Sequence, residues 1–194
     1  GLGVMLDRFQ EGAKAGVTRL LAAFFFRQYG QRASGDPAFV FTHKSFGEYL
    51  AARRIVRAID RVIRELEHRS RGPDEGWDER DALEHWAQIC GPSAITPYLH
   101  SFLLNEIRLR SPQDLAQWQG CLANLFSYML QNGMPMEQLG VVPFKKAMIQ
   151  SRNSEEALLV ALNSCACIIK RVSPLRINSR TLFGSWFKRI QGQS

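Results

Sequence analysis

From Phe46 onward, apolar residues recur every three or four positions, and that period governs most of the remaining chain. Phe46, Tyr49, Leu50, Ile55, Ile59, Val62, Ile63 and Leu66 fall on one stripe, which predicts a long helix ending before Gly72-Pro73. The same spacing predicts helices over Glu79 to Ile89 and Ile95 to Arg108. Another opens at Ser111-Pro112, where a serine cap precedes a proline suited to the first turn, and runs through Leu115, Trp118, Leu122, Leu125, Phe126 and Met129. A short helix is expected at Phe144 to Gln150, and a separate one from Ser154 to Lys170 with Asn153 and Glu156 as its cap. A last amphipathic piece carries Leu182, Trp186 and Ile190, and the tail SRTLFGSWFKRIQGQS reads as a lead-in to a following domain. No strand-like run occurs after Leu50. The fold class expected is mainly α, a helical array whose loops are short enough for antiparallel neighbours.

The N-terminal end differs. Asp7 to Tyr29 reads as a helix with Val17, Leu20, Leu21, Phe24 and Phe25 on one stripe. Gly30 to Pro37 (GQRASGDP) is a turn region, and PAFVFTH that follows is a short strand rich in β-formers. Ser45 and Glu48 then form a capping-box pattern, with the hydroxyl accepting from the third helical amide and the carboxylate reaching back. The charged loop RGPDEGWDERD concentrates turn residues, so the domain boundary is drawn there, giving regions 1–72 and 73–194.

At 194 residues, with 45% hydrophobic and 22% charged residues, the chain is long enough to bury a core without metals or disulfides. A net charge of +7 admits polyanionic partners but says nothing of fold. Cys90, Cys121, Cys165 and Cys167 have neither zinc-site spacing nor disulfide-framework density, and the expectation is reduced thiols in a cytoplasmic protein. Cys165 and Cys167, two apart on a helix, should point to different faces. No segment reaches the roughly eighteen apolar residues that a membrane span requires, since LLAAFFF ends at Arg27. The chain opens on Gly1 without a secretory signal, and is expected to be a piece of something longer.

Catalytic patterns are sparse. No GxxxxGK[ST] phosphate loop, HExxH or GxSxG motif is present, and His68, His85 and His100 are scattered. Glu84 beside His85 reads as a surface pair, and Trp77, Trp86, Trp118 and Trp186 as packing residues. No metal site is expected.

The densest motif is FVFTHKSFGEYLAARR, Phe39 to Arg54, at the strand-to-helix junction. It resembles the end of the winged-helix domain in NACHT-type STAND NTPases, the class that includes NOD-like receptors and bacterial relatives. In that family a strand ends in Phe-x-His and a Ser-Phe-x-Glu-Tyr/Phe-Leu-x-Ala segment opens the next helix. The matching positions here are Phe41, His43, Ser45, Phe46, Glu48, Tyr49, Leu50 and Ala52.

The resemblance implies a small winged-helix portion within residues 1–72. It implies that His43 contacts the β-phosphate of ADP held by the NTPase domain of the parent chain. An imidazole can donate that bond, and charge strengthens it. Lys44 is then a phosphate-neighbouring residue, Ser45 and Glu48 a helix cap, and Phe41, Phe46, Tyr49 and Leu50 the winged-helix core. The implied role is regulatory and autoinhibitory, with oligomerisation on opening and, by analogy with bacterial relatives, a place in antiphage defence. ATP or ADP with magnesium would belong to the parent protein. This chain has no room upstream of Phe39 for an NTPase domain, so it is expected to be no enzyme by itself.

Arg54, Arg57, Arg61 and Arg64 form a second pattern, one helical stripe with Arg53 beside it. A basic helix next to a winged helix suggests DNA. Asp60, Glu65 and Glu67 interrupt the charge and favour a salt-bridged, solvated face. A helical interaction scaffold without any nucleotide link is the third alternative.

Overall fold

The helical period resolves into five helices among the described residues. A computed structural model describes residues 26–31, 37–41, 43–72 and 74–172. The helices are α1 (Lys44–Arg71), α2 (Glu79–Cys90), α3 (Pro97–Arg108), α4 (Pro112–Asn132) and α5 (Phe144–Ile169), with a 3₁₀ turn at Glu137–Leu139. The chain is thus mainly helical. Among the described residues two strands precede α1: β1 (Phe26–Gln31) and β2 (Pro37–Phe41), paired antiparallel with Phe26 opposite Phe41 and Gln28 opposite Phe39.

The helix expected over Asp7 to Tyr29 is corrected at its end, because Phe26 to Tyr29 lie in β1 and Gly30 and Gln31 continue it. Phe26 and Tyr29 favour a strand, and pairing with β2 overrides the helical preference of Arg27 and Gln28. Residues 7–25 of that expected helix, and the piece around Leu182, Trp186 and Ile190, lie outside the described residues.

Each helix start has a local cause. Asp78 accepts from the Asp81 amide at 2.8 Å while the Asp81 carboxylate accepts from the Asp78 amide at 3.3 Å, a reciprocal cap for α2. Thr96 caps α3 through the Leu99 amide at 3.1 Å, so α3 starts at Pro97 and Ile95 lies outside it. Ser111 caps α4 as its sequence indicates, accepting from the Asp114 amide at 3.1 Å with Pro112 in the first turn.

The two helices expected over Phe144 to Gln150 and Ser154 to Lys170 are one. Asn153 is no cap: its amide donates to the Gly91 carbonyl at 2.8 Å, fastening the middle of α5 to the end of α2. The Ser154 hydroxyl donates to the Gln150 carbonyl at 2.7 Å, one turn earlier in the same helix.

Two compact units divide the chain, Gly1–Leu50 and Ala51–Ser194. The division therefore falls inside α1 and not at the expected 72/73 boundary. The cause is the apolar face of α1 beyond Leu50: Ala52, Ile55, Val56, Ile59, Val62 and Ile63 are all buried in the helical core. That core is a single cluster containing Leu83 and Trp86 of α2, Leu103 and Ile107 of α3, Leu122 and Phe126 of α4, and Leu158 and Leu162 of α5. Helix α5 is its hub, packing on α4, α2 and α3.

The loop between α1 and α2 folds back on α1, with the Trp77 amide donating to the Glu65 carbonyl at 3.1 Å. Gly76 enables this at φ +72°, where a Cβ would lie against the Glu65 carbonyl and 2.6 Å from the Arg69 nitrogen. Only glycine fits that approach.

Candidate functional site

Within Gly1–Leu50, the chain passes from β2 into α1 over two residues, and His43 occupies the position before the first helical residue. The His43 carbonyl accepts from the Phe46 amide at 3.1 Å, closing the first turn, while the residue itself is exposed. Unsatisfied amides and the positive end of the helix dipole gather at such a position, which favours an anion nearby.

Helix α1 begins at Lys44, so Ser45 is its second residue and not its cap. The expected capping box is thereby displaced. The Glu48 carboxylate instead lies 3.9 Å from the Lys44 ammonium, one helical turn back. Lys44 is almost fully solvated, and a pair of this kind contributes at most about 0.5 kcal/mol.

The four expected core residues separate. Phe46 and Tyr49 are half-buried, but Phe41 and Leu50 are each 37% exposed and are not buried anchors. The Phe41 ring rests on the start of α1, edge-on to Phe46 with centroids 5.4 Å apart. Gly47 makes room for it, since a Cβ there would come within 2.9 Å of the Phe41 ring. Sequence reading passed over Gly47; its signal was a glycine inside an otherwise helical pattern.

The arginine stripe belongs to the second unit, Ala51–Ser194. Arg53 is 3.9 Å from Glu106, and Arg64 is 3.9 Å from its neighbour Glu65. Arg61 lies over the Trp77 ring at 4.9 Å, a cation–π contact. Asp60 between them takes Arg110 at 2.7 Å. Arg54 and Arg57 are exposed.

His85, read from sequence as half of a surface pair with Glu84, is half-buried with its ring 4.8 Å from Trp77. Burial lowers its pKa first, and the Arg61 and Arg54 guanidiniums lower it further against a raising contribution from Glu65. Sequence spacing did not reveal this cluster, because Trp77 reaches His85 through the fold of the interhelical loop.

Cys165 is buried and Cys167 exposed, as their two-residue offset requires. Among the described residues no three His, Cys, Asp or Glu side chains converge as metal ligands, and no helix is long and apolar enough to cross a membrane. No protein-family model matches the chain, and neither a curated protein nor a solved structure matches it.

Proposed function

We propose that this chain is the regulatory segment of a NACHT-type STAND NTPase, with a winged-helix portion at its N-terminal end and a helical array beyond it. The observation that carries the reading is His43, an exposed residue set between a strand and the N-terminus of a 28-residue helix, within the motif FTHKSFGEYL. Its imidazole can donate to a terminal phosphate oxygen while the helix end favours the same negative charge. ADP or ATP with magnesium would be held by the NTPase domain of the parent chain, and this segment performs no chemistry of its own. In the resting state His43 holds the winged helix against bound ADP. Exchange for ATP alters that contact and releases the segment for oligomerisation. Such a switch requires different affinity for the two states, and a phosphate-specific hydrogen bond supplies it. A bacterial parent of this kind would serve antiphage defence in the cytoplasm.

The ion pairs of Arg53 and Arg64 and the stacking of Arg61 on Trp77 leave the DNA-binding alternative with fewer free cations than the sequence stripe suggests.

The test is His43→Ala in the full-length parent protein, measuring retained ADP and basal assembly. A charge-assisted hydrogen bond is worth about 1.5–3 kcal/mol, so ADP dissociation should quicken by about tenfold or more and assembly should rise without a stimulus. Unchanged ADP retention together with unchanged assembly overturns the reading.

A further inference from the structure

Helix α5 begins with an apolar surface that stands exposed among the described residues. Val142 and Phe144 are 79% and 78% exposed, and Met148 and Ile149 are also exposed. At 100° per residue, Phe144, Met148 and Ile149 share one side of the helix, with Lys145 and Arg152 interleaved on the same arc. Met134 and Met136 border the groove beneath Phe144, and methionines adapt readily to a partner's shape. Monomers seldom expose such a patch without a use for it.

A feature of opposite character lies between α1, α2 and α4. An open cavity of about 490 Å³ is walled by Ile63, Leu66, Trp77, Cys121 and Leu125. Its rim carries Glu67, Asp78 and Glu79 against a single cation, Arg69. An apolar cavity on the order of 150 Å³ already admits benzene, so this one has space for a phenylalanine and a methionine together.

We infer that the Val142–Ile149 patch of one copy of this chain seats in the acid-rimmed cavity of a second copy, with Phe144 as the inserted side chain. The apolar surfaces supply the affinity, and Lys145 and Arg152 meeting Glu67 and Glu79 set the orientation. Patch and cavity are different surfaces, so the contact is head-to-tail, and it grows into a ring or a filament according to whether its rotation closes. It uses no residue of the His43 motif, so its failure and that of the nucleotide reading are distinguishable.

Sedimentation of the 194-residue chain tests this. The wild type should rise above its monomer mass of 22.0 kDa with concentration, and less so at high salt. Phe144→Ser, at an exposed position, should remain at monomer mass while melting as the wild type does. The patch variant Lys145→Glu/Arg152→Glu and the cavity variant Glu67→Lys/Glu79→Lys should each be monomeric alone and should associate when mixed. A wild type that stays monomeric throughout, association that survives Phe144→Ser, self-association retained by the cavity variant, or a mixture that fails to associate overturns the proposal.

Discussion

The Trp86 indole donates to the Ser154 carbonyl at 3.0 Å, joining the last turns of α2 to the centre of α5 inside the core. Trp86 is 1% exposed and Ser154 wholly buried, so neither group can turn to water instead. Beside this bond Gly91 brings α2 close, with space for a Cβ only 3.1 Å from Gln150 and Ser154, and Asn153 donates to its carbonyl. Helix α5 is continuous through these contacts.

Trp86→Phe should therefore destabilise the protein by about 2 kcal/mol, combining a lost buried hydrogen bond with a small void. Urea unfolding should show a lower midpoint with an unchanged slope. A midpoint equal to wild type removes this bond from the account of the core.

Protonation of His85 should be linked to unfolding. Its folded pKa lies below the ordinary 6.5, first through burial and then through Arg61 and Arg54. The unfolded chain thus binds the proton more readily, and stability rises with pH between the folded value and 6.5. Above 6.5 the contribution is fully present, and it is lost as pH falls toward the folded value. His85→Gln should flatten this part of the stability profile relative to wild type when unfolding is followed in urea across pH 5 to 8 (a window of about three units around an ordinary histidine). Parallel profiles for the two proteins contradict the linkage.

The thiols should divide by reactivity. Burial raises Cys121 to about 12, with Glu67 and Glu79 adding to it, and raises Cys165 to about 11 against a backbone hydrogen bond that lowers it. Burial also raises Cys90 strongly. Cys167 is exposed, its thiol 3.7 Å from the Asn163 side-chain oxygen. Since the thiolate is the reacting form, an aromatic disulfide reagent at about pH 8 should modify Cys167 first, Cys121 at the wall of the open cavity more slowly, and the buried Cys90 and Cys165 only on unfolding. Cys167→Ser should abolish the fast phase; a fast phase that remains places another thiol at the surface.

Sequence was most informative where structure depends on near neighbours. The stripe from Ile55 to Leu66, the Ser111-Pro112 cap and the opposed faces of Cys165 and Cys167 follow from helical geometry and local hydrogen bonds. His43 before α1 belongs to the same class, because β-formers and then a helical period meet there. The unity of α5 does not. Asn153 and Glu156 have the chemistry of a cap, and only the Gly91 carbonyl, 62 residues away in sequence, occupies Asn153 instead.

The chain by itself determined a predominantly helical protein with an apolar stripe on α1 and a junction motif centred on His43. Tertiary structure alone decided that α1 belongs mostly to the helical unit, that Phe41 and Leu50 stay partly in solvent, and that Trp77 and His85 meet. Periodicity reports which face of an element is apolar, a property of residues three or four apart. What that face packs against depends on contacts between distant segments, and those arise only when competing burials are settled together in one core.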